Sequence, residues 1–262
     1  MSERSRYDSG TFSWVDLATT DPDGAKAFYA GLFGWEFEDL PTDGSGTYTM
    51  CRLQGKDVCA IARQSDQERQ QGVPSHWNSY ITAHDLDDRA ARIPELNGNL
   101  IMPPFDVMEA GRMALAVDPT GAVFALWEPR NSIGAALVNV HGALTWNELG
   151  TTDVEAAKSF YGELFGWTYE DLEMDGQGSY SIVRNGGSSN GGIRAQTQME
   201  KGVPPNWLPY FGATSCDESA AQAQAVGGRV LVPTMHVPAG GFAVIADPQG
   251  AVFAVFEGEF DD

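Results

Sequence analysis

The chain has 262 residues, of which 42% are hydrophobic and 20% charged, enough for one large or two ordinary globular domains. A formal net charge of −20 and the lack of any basic run argue against nucleic acid and membrane surfaces as partners. Three cysteines without C-x-x-C spacing predict buried, reduced side chains. The polar start MSERSRYDSG, with no long apolar run after it, predicts a cytoplasmic protein without a membrane segment.

The first predicted element is a strand, because apolar and polar residues alternate in FSWVDLAT. Asp21 and Pro22 then supply a helix cap and a first-turn proline, and the helix should end at Gly34. Strand-like runs TYTMCRL and DVCAIA follow. The predicted helix has an apolar face formed by Ala25, Phe28, Tyr29, Leu32 and Phe33.

A second unit repeats this order of elements. The strand NSYITA precedes a helix from about Asp87, which Pro94 should kink or end, and three strand-like runs follow: NLIMPPFDV, RMALAVD and AVFALWE. Each unit is therefore predicted to contain one strand, one helix and several further strands.

The whole pattern then occurs a second time. GTFSWVDLATTDPDGAKAFYAGLFGW, from Gly10, returns as GALTWNELGTTDVEAAKSFYGELFGW, from Gly142, and DPTGAVFALWE returns as DPQGAVFAVFE. Two copies of one domain therefore follow each other. We predict domain 1 over 8–128, a linker over 129–141, domain 2 over 142–258 and an acidic tail over 259–262.

These motifs resemble the vicinal oxygen chelate superfamily of glyoxalases, bleomycin-resistance proteins and extradiol dioxygenases. The resemblance rests on D-x-x-x-A-x-x-F-Y-x-x-L-F-G-W after a strand and on a later D-P-x-G-A-x-F, and it covers nearly the whole chain twice. More narrowly, the chain is similar to tandem glyoxalase-like proteins often labelled hydroxylases. The resemblance implies an α+β fold with two tandem glyoxalase-like domains, each made of two βαβββ units that form a cup-shaped mixed sheet.

The resemblance also locates the metal ligands of metal-using members, on the first and last strands of the units. A divalent cation needs several converging His, Asp or Glu side chains. We therefore expect no metal and no cofactor, and neither glyoxalase I nor extradiol dioxygenase activity. The ligand positions of the two copies hold Trp14 and Trp146, Asn78 and Leu208, and Ala125 and Ala254.

Strand alternation selects the candidate site residues. Trp14 and Asp16 should share the cavity face of copy 1, and Trp146 and Glu148 that of copy 2. An indole beside a carboxylate suits a flat or partly cationic organic ligand, although these side chains also fit a purely structural role. Further candidates for ligand binding are Asn78, Tyr80, Arg112, Trp127, Tyr210 and His236.

The two copies differ at several of these positions, and copy 1 is expected to have the more polar cavity. Arg112 is expected either to clamp a ligand carboxylate or to form a rim salt bridge. His236 is expected either to act as an acid–base group or to be inert. The remaining tryptophans, Trp35, Trp77, Trp167 and Trp207, are predicted to be core residues.

Three functions fit this sequence. The favoured one is a metal-independent protein of the glyoxalase/bleomycin-resistance type that holds a largely aromatic small molecule in the domain 1 cup. The second is a metal-free isomerase, lyase or hydroxylase with Asp16 or Glu148 as general base. The third is an interaction protein with vestigial cups. Because the chain already carries two domains, a monomer is favoured over a homodimer.

Overall fold

The computed structural model describes residues 2–42, 46–174 and 178–259. Copy 1 consists of β1 (Phe12–Thr19), α1 (Pro22–Phe33), β2 (Glu36–Pro41), β3 (Thr47–Leu53), β4 (Lys56–Arg63), α2 (Asp66–Gln70), β5 (His76–Thr82), α3 (Leu86–Glu95), β6 (Asn99–Val107), β7 (Gly111–Val117) and β8 (Val123–Pro129). Copy 2 consists of β9 (Leu144–Thr151), α4 (Val154–Phe165), β10 (Thr168–Met174), β11 (Gly178–Asn185), β12 (Ser188–Ala195), a 3₁₀ turn (Gln198–Glu200), β13 (Asn206–Gly212), α5 (Cys216–Ala225), β14 (Arg229–Val237), β15 (Gly240–Ala246) and β16 (Val252–Gly258).

Each copy forms one eight-stranded mixed sheet. The strand order is β2-β3-β4-β1-β5-β8-β7-β6 in sheet 1 and β10-β11-β12-β9-β13-β16-β15-β14 in sheet 2. In sheet 1, β1 is parallel to β4 and antiparallel to β5, so the two βαβββ units meet at β1 and β5. The predicted α+β fold of two tandem glyoxalase-like domains is confirmed. None of the helices in the described ranges is long and apolar enough to cross a membrane.

The helix ends follow the local signals in the sequence. The Asp21 side chain accepts a hydrogen bond from the Gly24 amide, and the helix α1 ends at Gly34 with a φ of 71°, a left-handed conformation that glycine adopts without strain. The helix α3 ends one residue after Pro94, as predicted for a proline inside a helix.

The repeated motifs pack the two copies against each other. The Tyr29 hydroxyl of α1 donates to Asp247 Oδ2 at 3.2 Å, and in the mirrored contact the Tyr161 hydroxyl donates to Asp118 Oδ2 at 3.1 Å. Both aspartates belong to the D-P-x-G motif of the other copy. The two largest hydrophobic clusters accordingly each mix residues of both copies. The structure also confirms burial of the four predicted core tryptophans and the three cysteines, namely Trp35, Trp77, Trp167, Trp207, Cys51, Cys59 and Cys216.

Candidate functional site

We call the face of sheet 1 opposite its helices cup 1. Strand register sets Trp14 opposite Tyr80 and Asp16 opposite Asn78, across the β1–β5 pair. Trp127 follows on the same face and packs in one cluster with Trp14 and Tyr80. Strand alternation therefore brings these five candidate residues together on one surface.

The Asp16 carboxylate lies at the centre of a hydrogen-bond network in cup 1. Its Oδ2 accepts from the Tyr80 hydroxyl at 2.7 Å and the Tyr48 hydroxyl at 3.1 Å, and its Oδ1 accepts from Asn78 Nδ2 at 2.9 Å. The Trp14 indole donates to the Tyr48 oxygen at 3.0 Å. The first tryptophan of the repeat thus orients a tyrosine that binds the acid.

This carboxylate is buried without a lysine or arginine partner in the described part of the chain. Asp16 is 6% exposed, and no lysine or arginine in the described ranges forms an ion pair with it. Burial raises the pKa of its carboxyl above the ordinary 3.8, although hydrogen bonds from Asn78, Tyr80 and Tyr48 and the charge of His76 oppose the shift. Burial and the charge of Asp16 also raise the pKa of both tyrosines well above 10.0, which keeps them as neutral donors.

We expect the raised pKa of Asp16 to make the protein less stable as the pH rises. Between 3.8 and the higher pKa of the native state, the folded protein binds more protons than the unfolded chain. The penalty therefore grows through that window and is complete above the native-state pKa. Carboxyls with lowered pKa, such as that of Glu200, contribute the opposite slope, so the Asp16 contribution is measured by comparing thermal unfolding of the wild type and Asp16→Asn from about pH 4 to 8. Asp16→Asn cannot ionise and should lack this contribution, so an unchanged pH profile in that variant would contradict the assignment.

The wall of cup 1 is apolar, and the linker covers one of its ends. Met50, Met113 and Leu115 pack against the buried rings. The Ala135 amide donates to the Ser13 carbonyl at 2.8 Å, which holds the linker against β1. Trp14, Tyr80 and Trp127 are nearly buried, since only 6% to 8% of each residue is exposed. Cup 1 therefore combines aromatic and thioether surfaces with a single carboxylate.

Cup 2, the matching face of sheet 2, has a different polar centre. The Trp146 indole donates to the Tyr180 hydroxyl at 2.9 Å, as its counterpart does in cup 1. Glu148 Oε1, however, accepts from Arg194 Nε at 2.7 Å. The Arg194 guanidinium also binds the Glu200 carboxylate through Nη1 and Nη2, both at 2.8 Å. Tyr210 lies beside Glu148, as the alternation predicts.

The sequence analysis did not identify the two tyrosines Tyr48 and Tyr180 or the arginine Arg194 as residues of the cups. For Arg194 the reason lies in the strand pairing. Arg194 stands opposite Tyr180 in sheet 2, as Ala62 stands opposite Tyr48 in sheet 1. The strand pairing indicates the position of Arg194 on the cup face. Gly192, two residues before Arg194, pairs with Glu148, just as Ala60, two residues before Ala62, pairs with Asp16. The glycine-rich run NGGIRA has no clear period of its own, which concealed the position.

Arg112 does not lie in cup 1. Its neighbours Met113 and Ala114 belong to the cup cluster and the helix-side core respectively, so Arg112 points to the helix side. There its Nη1 and Nη2 bind Asp87 of α3 at 2.8 and 2.9 Å, and Nη1 binds Glu128 at 3.0 Å. The salt-bridge alternative for Arg112 is therefore the one observed.

His236 likewise points away from cup 2. It pairs with Gly241, whereas the adjacent pair, Met235 and Phe242, includes the phenylalanine of the cup 2 cluster. His236 instead lines an open surface depression with Glu257.

The expectation that cup 1 is the more polar cup is wrong, because Arg112 faces away from cup 1 and Arg194 lies in cup 2.

The residues at the family's metal-ligand positions do not fit a divalent cation. Trp14, Asn78 and Ala125 lie near one another on the cup face, yet they offer an indole, an amide already bound to Asp16, and a methyl group. Across residues 2–42, 46–174 and 178–259, no three His, Cys, Asp or Glu side chains group as a metal site. We therefore derive no chemistry through a metal at these positions.

Two family models match the chain, one to each copy. The model of the Glyoxalase/Bleomycin resistance protein/Dioxygenase superfamily matches residues 11–126, and that of a Glyoxalase-like domain matches residues 146–256. These matches begin and end close to the first and last strands of the two sheets.

Two similar proteins match along nearly their whole length. "Putative glyoxylase CFP32" of Mycobacterium tuberculosis is 41% identical over 259 residues, which are 98% of each chain. "Anthracycline biosynthesis protein DnrV" of Streptomyces peucetius is 33% identical over 262 residues, covering 96% of this chain and 94% of that protein.

Solved structures share the fold at low sequence identity. The Mn(II)-bound glyoxalase from Novosphingobium aromaticivorans has a TM-score of 0.66 at 16% identity, covering 97% of this chain and 84% of that one. The 2,3-dioxygenase LapB from Pseudomonas sp. KL28 has a TM-score of 0.66 at 15% identity, covering 97% and 95%. With two domains matched in tandem, the chain belongs to the glyoxalase/bleomycin resistance protein/dioxygenase superfamily.

Proposed function

We propose that the protein binds a small, largely aromatic molecule in cup 1 without a metal, with Asp16 as the polar anchor. The supporting observation is a buried carboxylate that has neutral hydrogen-bond donors but no lysine or arginine partner in the described ranges, set among aromatic rings. Burying an uncompensated charge is costly. A ligand that donates a hydrogen bond to this carboxylate offsets the cost of its burial. A purely structural role does not require a carboxylate at this buried position.

The hydrogen-bond count of Asp16 leaves room for such a ligand. An ionised carboxylate accepts about four hydrogen bonds. Oδ2 already accepts from Tyr80 and Tyr48, while Oδ1 accepts only from Asn78. One acceptor site therefore remains on Oδ1. We assign it to a hydroxyl, amine or protonated nitrogen of the ligand.

The apolar surroundings favour a flat ring system. Trp14, Tyr80 and Trp127 offer ring faces and edges, and aromatic pairs gain ~0.5–1.5 kcal/mol beyond simple burial. The name of the relative DnrV assigns that protein to anthracycline biosynthesis. Anthracyclines contain flat fused rings with hydroxyl groups, which is the chemistry that cup 1 suits.

A metal-free enzyme is the second candidate, because the same burial that holds Asp16 raises its pKa. A carboxylate with a raised pKa is a better general base at neutral pH. In that role Asp16 takes a proton from the ligand onto Oδ1, and Tyr48 and Tyr80 remain neutral donors. Glu148 is the weaker candidate, since Arg194 already neutralises it.

Isothermal titration with 2,6-dihydroxyanthraquinone, whose hydroxyls are free to donate, and with anthraquinone as the hydroxyl-free comparison, tests the binding proposal. Asp16→Asn should weaken dihydroxyanthraquinone binding at least about tenfold, since a hydrogen bond to a charged group contributes ~1.5–3 kcal/mol, and should change anthraquinone binding little. Trp14→Ala should weaken both compounds, because it removes a ring surface.

Glu148→Gln is the matched control, because it alters the acid of cup 2 only. Circular dichroism should first show that each variant is folded. Loss of binding in Glu148→Gln with retention in Asp16→Asn would contradict the assignment to cup 1. Conversion of the compound that is abolished in Asp16→Asn would favour the enzymatic candidate.

A further inference from the structure

In cup 2, the carboxylate of Glu200 binds the two terminal nitrogens of the Arg194 guanidinium. Both terminal nitrogens of Arg194 bind the two oxygens of Glu200, each at 2.8 Å. This paired geometry is the one in which arginine binds a ligand carboxylate. We call the contact the Glu200 clasp.

The clasp comes from a surface turn and not from the sheet. Glu200 ends the 3₁₀ turn after β12, and the neighbouring Met199 is 85% exposed. Burial raises the pKa of Glu200, but hydrogen bonds from Arg194 and from the Thr197 backbone outweigh it and lower the pKa to about 2. The carboxylate is thus ionised at neutral pH, on a segment with little buried surface to hold it.

The corresponding turn in copy 1 folds without an arginine at the position of Arg194. There Ser65 and Glu68 form the same reciprocal capping box as Thr197 and Glu200. Copy 1 has Ala62 where copy 2 has Arg194. The capping box is therefore sufficient to form the turn, and the clasp is an additional contact that is present in copy 2.

The surface around Arg194 suits an aromatic body. Trp146, Phe242 and Phe256 are only partly buried on the cup face, beside the buried Leu208. Glu148, which is 7% exposed, accepts a hydrogen bond from Nε of the guanidinium. The arginine therefore stays oriented when Glu200 is displaced. Cup 2 therefore offers a fixed cation next to partly exposed rings.

We propose that cup 2 is a second ligand site, specific for an aromatic carboxylate, and that Glu200 is its displaceable internal competitor. The incoming carboxylate replaces that of Glu200 on the two terminal nitrogens of Arg194. The charge around the arginine stays the same, because one carboxylate is exchanged for another, and Glu200 becomes solvated. The inference concerns a different cup and a different ligand chemistry from the function proposed above, so either stands or fails alone.

The test is titration of 2-naphthoate, with the uncharged 2-naphthamide as comparison, against the whole protein and Glu200→Gln. Glutamine is also accepted in a capping box, so the turn is retained. Removing the competing carboxylate should tighten 2-naphthoate binding at least tenfold and leave 2-naphthamide binding unchanged. The gain should diminish with added salt, since it depends on a charge pair.

Glu68→Gln is the matched control, because it makes the same change in the turn of copy 1, where Ala62 stands at the position of Arg194. It should leave 2-naphthoate affinity unchanged. Adding Arg194→Lys to Glu200→Gln should remove the gain, because an ammonium lacks the paired donors. Three results would each overturn the proposal: no gain in Glu200→Gln, an equal gain in Glu68→Gln, or an equal gain for the amide.

Discussion

Replacing Phe253 with alanine is expected to lower the free energy of unfolding by ~3–5 kcal/mol, the usual cost of removing a buried phenylalanine ring. Phe253 is fully buried, and it contacts Phe211 of its own copy and three rings of α1 of the other copy. The ring centroids lie 6.3 Å from Phe28, 5.6 Å from Tyr29 and 6.0 Å from Phe33. The cavity therefore opens in the contact between the copies, where both domains lose packing.

Two variants make this prediction specific, each followed by urea unfolding. Phe124→Ala removes the counterpart ring, which lies 5.9 Å from Phe160 and 5.4 Å from Tyr161, and should cost a similar amount. Val123→Ala changes the adjacent side chain, which is 40% exposed, and should cost less than about 0.5 kcal/mol. If Phe253→Ala unfolded domain 2 alone and left domain 1 at its original stability, the contact would be energetically unimportant.

The need for matching docking surfaces explains why the long opening motif occurs twice. Its F-Y and G-W residues lie between the copies: the Trp35 indole donates to the Gly142 carbonyl at 2.7 Å, and the Trp167 indole to the Gly10 carbonyl at 2.9 Å. Each contact has a mirrored partner, so both copies must keep the same residues. The residues of the cups take no part in this docking contact, and the two copies differ there.

The sequence predicted those features that depend on local periodicity. Alternation along β1 placed Trp14 and Asp16 on one face, and a capping aspartate with a terminal glycine defined α1. It did not predict the side-chain pairs that depend on cross-strand register. Arg112 stands opposite Glu128 on β8, and the adjacent pair sets Met113 opposite Trp127, so the face of Arg112 depends on the β7–β8 register.

The difference between the two acids has the same origin. Asp16 and Glu148 look equivalent in sequence, and both lie at the centre of a cup. What separates them is their environment: Asn78 beside Asp16 is replaced by Leu208 beside Glu148, and the arginine arrives from a neighbouring strand. In cup 1 the buried carboxylate is bound by neutral donors, whereas in cup 2 a cation is added to the tyrosines beside the carboxylate.

Replacing Arg194 with methionine is therefore expected to lower the free energy of unfolding by ~3–5 kcal/mol, the cost of leaving one partner of a buried ion pair alone. Glu148 is 7% exposed, and Leu208 next to it offers no hydrogen-bond donor. The neighbouring Tyr180 and Tyr210 offer neutral donors, which do not replace the positive charge. Asp16→Asn in cup 1 should cost much less, since it removes no counter-ion. Urea unfolding at neutral pH measures both variants.

A double-mutant cycle separates the ion pair from simple loss of packing. Glu148→Gln combined with Arg194→Met leaves no unpaired charge in cup 2, so it should recover most of the stability that Arg194→Met loses. Glu200 does not change this expectation, because its turn lies at the surface and its carboxylate can be solvated when Arg194 is absent. If the double variant were as unstable as Arg194→Met alone, the loss would come from the packing of the arginine side chain, and Glu148 would not depend on its cation.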